Sequence, residues 1–388
     1  MKKALNGLMA SGVLAVLLAA MALSILRPRT VNYYENRPAA ALPAFSGAAA
    51  RSGEYQDALE LALHDQLPGA QMLEKQYRTG LNALILRAVF DQSHARLNAY
   101  YRFNDLLLFH SDIVYKPVFA EEKLGELSAR VENLNLIFSA HPELSFYVFY
   151  IEKDTDMDFE TGVSTGVGDT LLPMLWLPED HMATFPVSSF EDFRARFYKT
   201  DHHWNCTGAY EGYTRVLALL GKSDPVLPEG TERITDAFCG SKAITSGASN
   251  AFFEPFDVYR FSFPAMRVTV NGKPVSDYGR QTQPWDPEAN GSVSYSGYYG
   301  DDYGEVVFRT ENIGAGNLLV IGESFDNAIL KLLAGHFETL YAVDLRAFEE
   351  DMGTPFRFSD YVAAHNIDTV LFIGNIDYFL VKDFNVEG

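Results

Sequence analysis

The string Thr200-Asp201-His202-His203-Trp204-Asn205 brings an acid, two imidazoles and an indole together in one short stretch. If the stretch is extended, residues i and i+2 project to the same side, so Asp201 and His203 face one way and His202 the other. An Asp that holds a His in one tautomer and supports its imidazolium is what a serine nucleophile requires of its base. The same residues admit blander readings: a structural His pair at a helix start with Asp201 as its cap, a metal site made by Asp201, His202 and His203, or a Trp204 that packs in a core. Adjacent histidines on a strand diverge, and no His-x-His or Glu-x-x-His cluster accompanies them, so no metal is expected.

A nucleophile for that base stands far along the chain, in Val320-Ile321-Gly322-Glu323-Ser324-Phe325. A Ser at the C-terminal end of a buried parallel strand sits on the edge where open α/β sheets bind ligands. There it is either a nucleophile or the N-cap of the following helix. In the first case its own N–H is also placed to donate to an oxyanion. Ile373-Gly374-Asn375 ends a second apolar run, which puts Asn375 on the same edge as a second oxyanion donor or as a turn residue. The aromatic rings of Trp204, Tyr299 and Tyr303 are candidates for contacting a sugar face.

Elements that position such residues are readable. Helical spacing of apolar residues runs over 54–64, 70–91, 120–139, 207–220, 326–334 and 358–366. Short apolar runs at 144–151, 318–321, 340–343 and 369–373 read as strands. Residues 99–109 are aromatic and β-prone. This alternation predicts an α/β fold, a parallel sheet with helices on both faces. Residues 235–310 differ in texture, rich in Gly, Tyr and Phe, and predict a β-rich insertion with a turn at Asn271-Gly272. Residues 54–388 then read as one domain that carries this insertion.

Before it, Lys2 and Lys3 precede an apolar run from Ala4 to Leu26 that ends at Arg27-Pro28-Arg29. That is an export signal, and the run is near the roughly 20 residues that span a bilayer, so residues 1–30 are expected to anchor the chain or to be cleaved at Ala20-Met21-Ala22. Residues 31–53 read as a linker. An exported chain with two cysteines, Cys206 and Cys239, either bridges them or buries two thiols. The net charge of -20 argues against nucleic acid as a partner. A composition 47% hydrophobic and 13% aromatic suits a packed core rather than a disordered chain.

The motif Asp201-His202-His203-Trp204 resembles the signature of the DHHW protein family, which is similar to the SGNH-hydrolase-like alginate O-acetylation proteins. Further segments carry the resemblance: Glu35-Asn36-Arg37 with Leu42-Pro43, Asp65-Gln66-Leu67-Pro68-Gly69, Gly322-Glu323-Ser324-Phe325, Val343-Asp344-Leu345-Arg346 and Gly374-Asn375-Ile376-Asp377. It implies an SGNH-like sheet with the motif order rearranged, the Asp-x-His element preceding the Ser. By position it makes Ser324 the nucleophile, His203 the base, Asp201 its orienter, and the Ser324 N–H with Asn375 the oxyanion hole. Glu323 departs from the Asp usual before that serine. The activity implied is a carbohydrate O-acyl, above all O-acetyl, esterase or transferase, working outside the cytoplasm on a polysaccharide without a cofactor. A transferase would take its acyl group from a membrane partner. The rivals are a non-catalytic polysaccharide-binding or assembly protein on the same fold, and a glycosidase.

Overall fold

The computed structural model describes residues 98–103, 106–110, 112–248, 252–281 and 293–380, and parts of 19–81, of which 37–46 and 54–67 are the longest. Most of the apolar run Ala4–Leu26 and of the helical pattern over 70–91 lies outside the described residues. Among the described residues no helix is long and apolar enough to cross a membrane.

By contacts the chain forms two units, residues 1–94 with 243–252, and residues 95–242 with 253–388. In the first, helix α1 (Glu54–Gln66) carries the Asp65-Gln66 pair of the N-terminal motif. Asp65 Oδ2 accepts the Ala40 N–H at 2.7 Å, and Gln66 Nε2 donates to the Ala40 carbonyl at 2.9 Å. The pair thereby fixes the segment that precedes the helix.

The second unit opens with a three-stranded antiparallel sheet, β1 (Tyr100–Phe103), β2 (Leu106–Phe109) and β3 (Asp112–Val114). Helix α2 (Ala120–Ala140) feeds β4 (Ser145–Ile151), which lies parallel to the short strand β5 (Met182–Phe185). Then come α3 (Phe190–Arg196) and α4 (Cys206–Leu219). The β-rich region follows: a long irregular hairpin, β6 (Gly230–Phe238) with β7 (Glu254–Arg260), and a tight one, β8 (Arg267–Val270) with β9 (Lys273–Val275). Asn271 and Gly272, both at positive φ, make the tight turn, as the Asn-Gly pair predicts. After α5 (Tyr295–Tyr299) come β10 (Glu305–Arg309), β11 (Asn317–Ile321), α6 (Leu330–Ala334) and β12 (Thr339–Val343). Helices α7 (Phe348–Met352) and α8 (Phe358–His365), strand β13 (Thr369–Gly374) and helix α9 (Ile376–Leu380) complete the unit.

Eight strands form the main sheet in the order β9-β8-β10-β12-β11-β13-β4-β5. From β12 to β5 all pairs are parallel; β10, β8 and β9 extend the other edge antiparallel. The insertion is thus β-rich, and part of it is built into the sheet. Alternate residues of each central strand enter two separate cores. Leu318 and Val320 join α3, α4 and α6 on one face, and Leu319 and Ile321 join α2, α8 and α9 on the other. Burial on both faces is why these strands read as unbroken apolar runs. The helix expected over 326–334 is interrupted. A 3-10 turn, Asp326–Ala328, precedes α6, and Ile329 stands between them at φ -113.

Candidate active site

Strands β11, β13 and β4 are neighbours and parallel, so their C-terminal ends share one edge of the sheet. Ser324 follows β11, Asn375 follows β13 and Lys153 follows β4. Such an edge gathers residues distant in sequence with their backbones fixed by the ladder.

The Asp-His segment reaches the site by a different device from strand alternation. Phe197 and Trp204 pair as an isolated bridge, and the residues between them form a closed loop with the Tyr198 N–H donating to the His203 carbonyl at 3.1 Å. Within that loop Asp201 Oδ1 accepts both the backbone N–H of His203, at 3.1 Å, and its ring Nδ1–H, at 2.6 Å. The side chains meet because the chain turns back on Asp201, not because it is extended. Asp201 Oδ2 accepts the Ser241 N–H at 2.8 Å, and Gly240 lies so close that a Cβ there would be 2.3 Å from Asp201 Cβ. Glu254, at the start of β7, braces the loop from below. It accepts from the N–H groups of Lys199 and Thr200 and from the Thr200 hydroxyl, at 2.6 to 2.9 Å.

With Nδ1–H given to Asp201, His203 presents Nε2 as an acceptor, and Ser324 Oγ lies 2.7 Å from it. The serine hydroxyl is therefore engaged with the imidazole, and the turn after it has no side-chain cap. The Ser324 N–H has no acceptor among the described residues. Burial opposes ionisation of Asp201, but the attraction and hydrogen bond of His203, with His202 and the Ser241 N–H, outweigh it and hold the carboxyl well below its usual range. Burial, with the neighbouring His203, holds His202 well below the ordinary imidazole value, so it is neutral. Its Nδ1 lies 2.7 Å from Ser241 Oγ.

Both faces of the His203 ring are covered. His202 lies 3.8 Å away by ring centroid, and Tyr295 stacks on the other face at 3.8 Å and 1°. Trp204 Nε1–H donates to the Tyr295 hydroxyl at 3.2 Å. Tyr295 and Glu254 are the residues that sequence reading missed. Both are brought in from more than fifty positions away, and no local pattern marks them.

Several expected roles need correction. Trp204 is 0% exposed, packed edge-on to Phe185 and Phe325, so it cannot touch a glycan. Tyr299 is also buried, in the aromatic group with Tyr295 and Tyr298. Tyr303, 36% exposed, does line a cleft. Asn375 is buried, and its Nδ2 donates to Glu323 Oε1, as its N–H does at 3.4 Å. One amide proton is thereby committed to Glu323. No disulfide joins Cys206 and Cys239; Cys206 opens α4, and burial pushes its thiol up to about 11. Asp201, His202 and His203 do offer ligand atoms within 4.8 Å of one another. A cation there would displace the short Asp201–His203 hydrogen bond.

The comparisons with known proteins give one family match over part of the chain and several structural likenesses. Residues 188–343 match the DHHW protein family. That span holds the Asp-His loop and the serine turn together. No curated protein matches the chain in sequence. Among solved structures, a DHHW family protein from Eubacterium siraeum aligns with TM-score 0.56 at 15% identity, over 73% of this chain and 94% of that one. Bacillus cereus PatB1, in a structure with a sulfonyl adduct, aligns with TM-score 0.54 at 20% identity, over 74% of this chain and 98% of that one. The O-acetyltransferase domain of Pseudomonas putida AlgJ aligns with TM-score 0.37 at 12% identity, over 69% of this chain and 87% of that one. The fold is the expected α/β one, a mainly parallel sheet with helices on both faces, and in it the Asp-His motif precedes the serine.

Proposed function

We propose that the protein is an extracytoplasmic carbohydrate O-acyl esterase or acyltransferase, acting on a cell-surface or extracellular polysaccharide through Ser324, His203 and Asp201. The observation that carries this reading is the relay in which His203 stands 2.6 Å from Asp201 and 2.7 Å from Ser324.

In this reading Ser324 Oγ attacks the acyl carbonyl carbon while its proton passes to His203 Nε2. Asp201, ionised at any neutral pH, supports the imidazolium. The oxyanion is met by the free Ser324 N–H and by the second amide proton of Asn375. Collapse breaks the bond to the leaving alkoxide, which takes the proton from His203, and the acyl group stays on Ser324. Water or a sugar hydroxyl then gives its proton to His203 and attacks the acyl-serine; the acyl–Oγ bond breaks, the proton passes from His203 Nε2 to Ser324 Oγ, and the serine and the neutral imidazole are regenerated. The export signal expected over residues 1–30 fits a polysaccharide substrate, and fits a membrane partner that would supply the acyl group to a transferase.

Hydrolysis of p-nitrophenyl acetate by the chain from residue 30 onward tests the reading. Ser324→Ala and His203→Ala should each lose about a thousandfold or more of turnover. An aryl sulfonyl fluoride should add one sulfonyl mass to the native chain and none to Ser324→Ala. Equal turnover and equal labelling in all three proteins would point instead to a binding or assembly protein on the same fold.

A further inference from the structure

Immediately beside Ser324 lies a narrow cleft that is open to solvent. Its walls include Gly322 and Glu323 before the serine, Asp326 after it, and Asp302, Tyr303 and Asp344. Four of these residues are acids. Among the described residues Arg346 is the cation that pairs with them: it binds Asp344, reaches Asp302 at 2.9 Å and stands 3.8 Å from Glu323.

Asp326 is the exception within the group. It is only 6% exposed, lines the cleft, and its carboxylate has neither a hydrogen-bond donor nor an ion pair among the described residues. A buried carboxylate without a donor is costly, and proteins rarely leave one so. Burial, together with the neighbouring Asp344, Asp302 and Glu323, pushes its pKa well above the usual range, against the pull of Arg346. Burial likewise raises Asp302 and Glu323. The cleft therefore holds more acid than its one arginine neutralises, and an entering cation would let Asp326 ionise.

The spacing of the acids says what kind of cation fits. A metal ion of the oxygen-binding type needs several oxygens converging at 2.0–2.6 Å. Among the described residues the acids of this cleft do not form such a converging group. An ammonium group takes separate acceptors through three N–H bonds directed apart. We propose that this cleft binds the ammonium group of an amine-bearing substrate, such as a glycan with free amino sugars, and so holds that substrate beside Ser324. Asp326 and Asp302 are its acceptors, and Tyr303 is the aromatic wall at the mouth. The proposal rests on the acyl-transfer reading for the role of Ser324, but the binding itself does not need the serine to react.

The test is calorimetric binding of a glucosamine tetrasaccharide and of its fully N-acetylated counterpart to the full chain carrying Ser324→Ala, at pH 6. The glucosamine oligomer should bind at least about tenfold more tightly than the acetylated one, and less tightly as salt rises. Adding Asp326→Asn, and separately Asp302→Asn, should each weaken it about tenfold. Asp302 is partly exposed, so its variant keeps the test decisive if Asp326→Asn fails to fold. Equal affinities, or no binding of either oligomer, would overturn the proposal. So would calcium chloride binding that Asp326→Asn abolishes, which would make the cleft a metal site. Loss of ester turnover in Ser324→Ala with no preference for the amine would leave acyl transfer standing without the ammonium site. Amine preference with ester turnover unchanged in Ser324→Ala would remove acyl transfer and keep the site.

Discussion

His203 is held at four points: Asp201 at Nδ1, Ser324 at Nε2, His202 on one ring face and Tyr295 on the other. Each contact removes a freedom that the imidazole would otherwise have to lose during reaction. Replacing Asp201 by Asn keeps the shape but offers an N–H where His203 needs an acceptor, so the wrong tautomer results. Ester turnover of Asp201→Asn should fall by about ten-thousandfold, with the fold retained by circular dichroism. The aromatic contact makes a subtler prediction. Tyr295→Phe keeps the flat face over His203 and loses only the bond from the Trp204 indole. Tyr295→Leu loses the face itself. We expect kcat to fall severalfold in the first and by about a hundredfold in the second, with KM little changed in either. Steady-state kinetics that separate kcat from KM check this. Equal losses in both variants would mean that the hydrogen bond, not the ring, holds the imidazole.

At the scale of elements, the site depends on how closely chain segments approach one another. A Cβ at Gly240 would lie 2.5 Å from Asp201 Oδ2, and one at Gly322 would lie 2.1 Å from Asp326 Oδ2. Gly240→Ala must therefore move the Asp201 loop or the chain after β6. Its turnover should drop by about a hundredfold or more, while thermal unfolding shows a loss of about 1–3 kcal/mol from overpacking. Turnover unchanged at lowered stability would show that the loop adjusts without disturbing the relay. These segments also show what the sequence could and could not reveal. The strands at 317–321, 339–343 and 369–374 were legible because both faces are buried and, after the polar first residues Asn317, Thr339 and Thr369, each runs on without a charged or strongly polar residue. The partnership of Asp201 with His203 was legible from residue types alone. The mechanism of their approach was not, since a turn and a strand can both bring i and i+2 together. Trp204 and Tyr299 were misread because an aromatic ring suits a core as well as a sugar, and only packing decides. The Glu254 brace and the Tyr295 stack are long-range contacts with no periodicity of their own. The strand Met182–Phe185 is too short to carry a pattern.

For the whole molecule, buried acids set how stability varies with pH. Burial raises Asp156 to about 6, although Tyr150, Thr155 and the Lys153 N–H all donate to it. Burial, against the bond from the Val187 N–H, raises Glu152 to about 7. For both groups the folded state binds the proton more tightly than the unfolded chain, whose values are near 4. Their stabilising protonation is complete below about pH 4 and is lost as pH rises through 6 and 7. Asp201 acts in the opposite sense: its contribution is present above about pH 4 and lost in acid. Stability should therefore be greatest near pH 4 and decline toward pH 8, by about 3 kcal/mol for Asp156 and further for Glu152. The net charge of -20 adds surface repulsion in the same direction. Two measurements separate the causes. Glu152→Gln still accepts from Val187 but cannot titrate, so its melting temperature should fall less between pH 5 and 8 than that of the native protein. Raising salt from 0.02 M to about 0.3 M should screen the surface charges and leave the buried pair largely untouched. If salt alone flattens the curve, surface repulsion governs. If the decline survives in salt and shrinks in Glu152→Gln, the acids behind β4 govern, and the sheet edge that carries the relay is also where the protein meets its alkaline limit.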